Sequence, residues 1–236
     1  MRKPFLVAGV ATLALGTAAV AHAQTPAPSI DTTVSVSPTS AGTKSKPKSE
    51  KLTLKVTSNA DSKATASAVE VTFPSTLKLS LKGLTACKAT DDELIANVNT
   101  CKSSIVGTGE ANAVVNPFAP TPAPLKFKVT PLVGDANELL FLLDSPIADA
   151  VLHGKIKGKK LTISINKELQ QPAPGTFSAL RDLKTTLSKK KGKNYLISST
   201  GCKAKAHKVG VTVRYVPNPN PPTASSASDT ADAKCS

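Results

Sequence analysis

The 236-residue chain has no tryptophan, a single methionine at position 1, two tyrosines and three histidines. So few flat aromatic faces leave little on which to stack a pyranose ring or an unpaired base, which argues against a sugar-binding cleft and against single-strand nucleic-acid binding. Arginine is also scarce: of 30 basic residues, only Arg2, Arg181 and Arg214 are Arg. Arg is the side chain for bidentate phosphate or base recognition, whereas Lys acts as a hydrated point charge. Sequence-specific nucleic-acid recognition is therefore not expected.

Other signatures are missing as well. There is no C-x-x-C pair, no interleaved His and Cys at ligand spacing and no acidic D-x-D-x-D-G loop, so no metal or other cofactor is expected. Gly107-Thr108-Gly109 lacks the following G-K-[ST] of a phosphate loop, and no G-x-S-x-G elbow occurs. His153 and His207, the histidines available as a base, read as surface groups in basic surroundings. Carboxylate pairs of the glycosidase kind could be drawn from Asp91, Asp92, Glu93, Glu110, Asp135, Glu138, Asp144 and Asp149. Most of these have simpler readings as helix-start or turn residues, and the chain is read as non-enzymatic.

What is present begins at the amino terminus. Arg2 and Lys3 precede an apolar run from Pro4 to Val20 that ends in Ala21-His22-Ala23, the pattern of a signal peptide over residues 1–23 with cleavage before Gln24. No later stretch reaches membrane-spanning length, so the processed chain is expected to be exported, extracellular or associated with the cell envelope, and not transmembrane. Four cysteines in an oxidising compartment most simply form two disulfides, and Cys87 with Cys101 and Cys202 with Cys235 are the favoured pairs. The first closes a loop whose Thr90–Glu93 matches a capping box, with Asp91 and Asp92 in the positive first turn of a short helix.

Alternation of apolar and polar residues dominates the rest. After a leader at 24–29, strands are expected around Ile30–Val36, Leu52–Val56, Val69–Phe73 and Leu77–Leu81. Gly107 and Gly109, within an extended run, suggest a bulge or a close backbone approach. The Pro-rich segment 116–124 reads as a crossing that cannot lie inside a sheet. Strands resume at Leu125–Thr130, Glu138–Leu143 and Ala150–Lys157, and Gly158 turns the last into a hairpin with Lys159–Ile165. Phe177–Leu187 is read as a strand that the run Lys189–Lys193 links to Asn194–Ser198 as a hairpin. Lys208–Val216 closes the series, and 217–236 reads as a mobile Pro/Ala/Ser-rich tail tethered only by Cys235. About ten short strands with one brief helix in a disulfide loop indicate an all-β, antiparallel β-sandwich, jelly-roll-like or Ig-like, as a single domain over 30–216.

Phe73-Pro74 leading to Cys87, Cys101 followed by Ser104 and the run Val106-Gly107-Thr108-Gly109-Glu110-Ala111, then Tyr195-Leu196 leading to Gly201-Cys202 and a terminal Cys235, resemble a group of uncharacterised secreted proteins of high-GC Gram-positive bacteria. The resemblance covers roughly residues 65–236. It implies a disulfide-bonded β-sandwich and no activity.

Charge is unevenly distributed. Residues 24–149 hold 12 basic and 12 acidic groups, whereas residues 150–216 hold 15 and 2. The excess is built from Lys155, Lys157, Lys159, Lys160, Lys189, Lys190, Lys191, Lys193, Lys203, Lys205, Lys208 and Arg214. If the turns that carry them converge, a diffuse cationic face results that would attract an anionic cell-wall polymer or membrane surface. If they scatter, they serve to keep edges and turns soluble. Two alternatives are a carboxylate-dependent hydrolase and a carbohydrate- or protein-binding adhesion module. The latter requires an exposed patch that includes Phe118, Phe127 or Tyr195.

Overall fold

The computed structural model describes residues 27–59, 63–216 and 225–236. The expected signal peptide, the first half of the leader and residues 60–62 and 217–224 lie outside these. Sixteen strands form: β1 Ile30–Ser37, β2 Lys48–Ser49, β3 Lys51–Ser58, β4 Ala66–Thr72, β5 Leu77–Leu79, β6 Gly107–Val115, β7 Ala123–Val133, β8 Glu138–Asp144, β9 Ala150–Lys157, β10 Lys160–Ser164, β11 Ser178–Leu187, β12 Lys190–Lys191, β13 Asn194–Tyr195, β14 Ile197–Ser199, β15 Ala206–Tyr215 and β16 Ser226–Lys234. The helical segments are α1 Asp91–Ala96, a 3-10 segment Val98–Ser104 and α2 Lys167–Gln170.

Eleven strands pair antiparallel in the order β1-β3-β11-β6-β7-β8-β9-β10-β4-β15-β16. The outermost strands β1 and β16 lie against each other, and the Thr32 N–H donates to the Asp229 carboxylate at 2.7 Å. The sheet thus rolls into a flattened, nearly closed barrel, the antiparallel sandwich expected from the alternation. Its core is the inward set of each strand, with Val69 and Val71 of β4, Phe127 and Val129 of β7, Phe141 of β8, Leu161 of β10 and Val209, Val211 and Val213 of β15 all buried. Gly158 adopts φ +62° in the tight β9–β10 turn, where Lys157 pairs with Lys160. Gly107 marks a close approach: a Cβ there would lie 2.1 Å from the Thr186 carbonyl oxygen.

β8 reads Glu-Leu-Leu-Phe-Leu-Leu-Asp because both of its faces are covered. Leu139, Phe141 and Leu143 point into the barrel, while Leu140 and Leu142 meet Leu132, Val151 and the fully buried Leu94 of α1 on the outside. The Cys87–Cys101 disulfide closes the loop that carries α1. Thr90 caps the helix: its side chain accepts from the Glu93 N–H, and its own N–H donates to Glu93. The second disulfide joins Cys202 and Cys235, and no described cysteine is free. Among the described residues, no helix is long and apolar enough to cross a membrane.

Three sequence expectations need correction. Residues 225–236 are not a loose tail: β16 pairs with β15 from Ala206↔Lys234 to Arg214↔Ser226, and Ser236 exchanges backbone hydrogen bonds with Thr39 and Ala41. Its inward residues are the small Ala227, Ala231 and Ala233, so a real strand has the composition of a linker. The Pro-rich crossing ends sooner than expected, because β7 already includes Pro124 opposite Val114, near the strand start where proline is tolerated. Finally, β11 does not pair with 194–198; its partners are β3 and β6, while Lys190–Lys191 and Asn194–Tyr195 form a small hairpin of their own and β14 pairs with β2 and β5.

Because Leu94 alone fills the space between α1 and the outer face of β7–β9 from the helix side, Leu94→Ala is expected to cost about 3 kcal/mol of stability, as other buried leucine truncations do. Chemical denaturation of the oxidised protein checks this.

Candidate anion-binding end of the barrel

The registers assign the fully described turns to two ends. Turns around 38–50, 73–106, 134–137, 158–159 and 188–205 share one end; those around 116–122, 145–149 and 165–177 share the other. The three lysine-rich turns therefore converge on the first end. Lys155 and Lys157 project outward from β9, Lys159 occupies the turn, Lys190, Lys191 and Lys193 belong to the β12–β13 hairpin, and Lys203 and Lys205 precede β15; all of these are exposed.

Some of the cations are engaged. Lys189 Nζ donates to the Ile105 carbonyl at 2.9 Å and Lys191 Nζ to Thr85 Oγ1 at 3.0 Å, which braces the hairpin against neighbouring loops. Lys190 Nζ sits 5.7 Å from the centre of the Tyr195 ring, and Lys208 Nζ lies 3.5 Å from Asp232. Two expected members are spent elsewhere. On the outer face, Lys160 and Arg214 both bind the largely buried carboxylate of Glu70, at 2.9 and 2.8 Å, and together they hold it below the usual carboxylate range, Arg214 more strongly. Among the described residues, Lys155, Lys157, Lys159, Lys190, Lys193, Lys203 and Lys205 have no carboxylate at ion-pair distance.

Beside these lysines lies a cleft of about 460 Å³ between Leu79–Gly83, the Ala136–Asn137 turn and Ile156 and Gly158. A second hollow of about 280 Å³ shares Leu79, Ile156 and Gly158 and is walled by Lys78, Lys159 and Thr200. Lys82 and Lys78 thus add to the basic end. Sequence reasoning missed them because they belong to the half of the chain whose charges balance. That balance is reduced locally, since two acids beside the cleft are occupied. Asp135 is paired with Lys88 at 2.7 Å, which lowers its carboxyl pKa, and Glu138 faces His153.

The histidines differ from expectation. His153 has acidic rather than basic surroundings: Nε2 is 3.1 Å from Asp91 and Nδ1 is 3.1 Å from Glu138, and these contacts, Asp91 foremost, raise its pKa. His207 is not a surface group but 0% exposed, since it shares the inward parity of Val209, Val211 and Val213. Its Nδ1 contacts Thr76 Oγ1 at 2.9 Å, and burial lowers its pKa. Glu50, 1% exposed at the same end, is a buried carboxyl that sequence reasoning passed over; burial pushes its pKa up. Its position between two strands gave no sign of which way it faces.

Of the aromatic residues proposed for an adhesion patch, Phe127 is in the core, Phe118 and Tyr195 lie at opposite ends, and each of the latter two carries a lysine over its ring. The walls of the cleft and of the adjoining hollow contain no Asp or Glu. No protein-family model matches the chain, and no curated protein matches it.

The raised pKa of His153 means that its contribution is complete below about pH 6.5, the unfolded value, and fades as pH rises through the higher folded value. Amides of α1 are therefore expected to lose protection as pH rises above about 6.5, after correction for intrinsic exchange. In His153→Asn that pH dependence should vanish.

Proposed function

We propose that this chain is an exported, non-enzymatic β-sandwich protein that acts in the cell envelope or outside the cell, released by signal cleavage before Gln24, and that it binds anionic polymers or surfaces through the lysine-rich end of its barrel. The observation that carries this reading is the convergence of three lysine-rich turns, widely spaced in sequence, on one end where Asp91, Glu138 and Asp135 are already engaged by His153 or Lys88. Two disulfides accord with an oxidising compartment.

Lysines suit a partner recognised by charge density rather than by shape. Each is a mobile point charge, so the surface follows a repeating polyanion such as a phosphate-bearing wall polymer, or an anionic lipid surface, without fixed geometry. The cleft offers Lys82, and the adjoining hollow Lys78 and Lys159, as places where an anionic group can be partly enclosed. Such binding is driven largely by counterion release and weakens steeply with salt.

Replacing Lys189, Lys190, Lys191 and Lys193 together by Gln should lower retention on envelope preparations at low salt by at least about tenfold, given about 1 kcal/mol per lysine near an anionic surface. Lys63→Gln with Lys167→Gln, away from this end, should leave retention unchanged. Equal losses in both variants, or none in the first, would sink the reading.

A further inference from the structure

The connections that cross the barrel at its other end frame a second feature. β10 lies in the β6–β10 meander, whereas the next long strand, β11, pairs on the opposite side between β3 and β6. The chain must therefore pass over the barrel mouth, and it does so through α2 and residues 171–177. Leu169 of α2 points down into the barrel, against the core.

Beneath Leu169 lies an apolar cavity of about 90 Å³, walled by Val69, Phe127, Phe141, Leu152, Ile163 and Leu183 among others. A further void of about 30 Å³ continues toward the lysine-rich end and shares Val69, Phe141, Ile163, Leu183 and Thr185 with the first. The polar residues in the first wall are Ser178 and Thr185, and the Ser178 hydroxyl is already committed to the Leu169 carbonyl. A water molecule needs two to four polar partners to enter such a space, and these walls supply too few.

The void follows from the architecture. About eight strands close a barrel that side chains just fill, and eleven enclose more. Flattening recovers much of that volume, but with aromatics scarce and small residues such as Ala66, Ala111 and Ala113 facing inward, the middle stays unfilled. The two voids follow one another through the barrel and are apolar, and the larger is smaller than the engineered cavity of about 150 Å³ that takes benzene. That shape suits a slender chain better than a ring.

Among the described residues the cap over the mouth is α2, four residues long and held by Gln170 Nε2 donating to the Ile165 carbonyl at 2.6 Å, Asn166 Nδ2 donating to the Val151 carbonyl at 3.2 Å and the Ser178 hydroxyl donating to the Leu169 carbonyl. Residues 171–175 are exposed, and Gly175 has φ +75° with nothing around it. We infer that the barrel interior is a binding site for a linear, uncharged alkyl chain, admitted end-on when Leu169 swings aside. The inference is independent of the proposed role of the lysines, which occupy the other end.

Calorimetric titration of the oxidised full chain with 1-alkanols of increasing length tests this. Saturable, one-to-one binding is expected, tightening about fourfold per added methylene until the space is filled, and then levelling. Ala111→Leu, which fills the cavity, should weaken binding at least tenfold, and Leu169→Ala should extend the longest chain that still gains affinity. If Ala111→Leu does not fold, Ala113→Val serves in its place and should shorten the tolerated chain. Absence of saturable binding to the unaltered protein, or binding undiminished in a folded cavity-filling variant, would overturn the proposal.

Discussion

Burial of one alternate set of aliphatic side chains, taken from eleven strands in turn, is the constraint on which everything else depends. Each strand has its own inward parity, and antiparallel pairing makes those parities coincide across the sheet. Val69 beside Ile163 and Val213, and Val71 beside Leu161 and Val211, show the result across three neighbouring strands. A slip of one residue in β15 would turn Val209, Val211 and Val213 to solvent and bring Lys208 and Arg214 inside. Charge on the outward positions therefore reinforces the register that apolar burial selects.

The same constraint places the loops. With every neighbouring pair antiparallel, connections can emerge at just two ends, and a loop's end is settled by the direction of the strand before it. This gathers the β9–β10 turn, the β12–β13 hairpin and the approach to β15 at one end, together with 73–106 and its disulfide. The Cys87–Cys101 loop then does two things. It covers the outer face of β8 with Leu94, and it brings Asp91 to His153, which together with the Asp135–Lys88 pair engages carboxylates at the basic end. At the other end the crossing from β10 to β11 sets Leu169 over the barrel interior. The two ends thus differ in kind: one is polar, charged and disulfide-braced, while at the other Leu169 faces an apolar interior.

Much of this was legible in local patterns. The β9–β10 hairpin, the capping box at Thr90, the close approach at Gly107 and both cysteine pairs follow from rules that act over a few residues or on cysteine spacing. His207 was legible too, had its parity with Val209 been weighed above its lysine neighbours. The last strand was not: Ala227, Ala231 and Ala233 are too small to announce a strand, and their burial depends on β15 lying alongside. Lys78 and Lys82 were hidden because their neighbours in sequence balance them, although their neighbours in space do not.

By itself the sequence determined most strand segments and their inward aliphatic residues, the disulfides and a basic excess carried by lysine, because each is set by side-chain type and short-range spacing. Tertiary structure alone decided that the sheet rolls almost closed, that its lysine turns meet at one end, that Lys160 and Arg214 are spent on Glu70, and that an apolar space remains along the axis. These depend on which distant strands become neighbours and on how much volume a closed sheet encloses. Both are properties of the whole chain, settled when non-local pairing balances burial against packing, and no window of residues carries them.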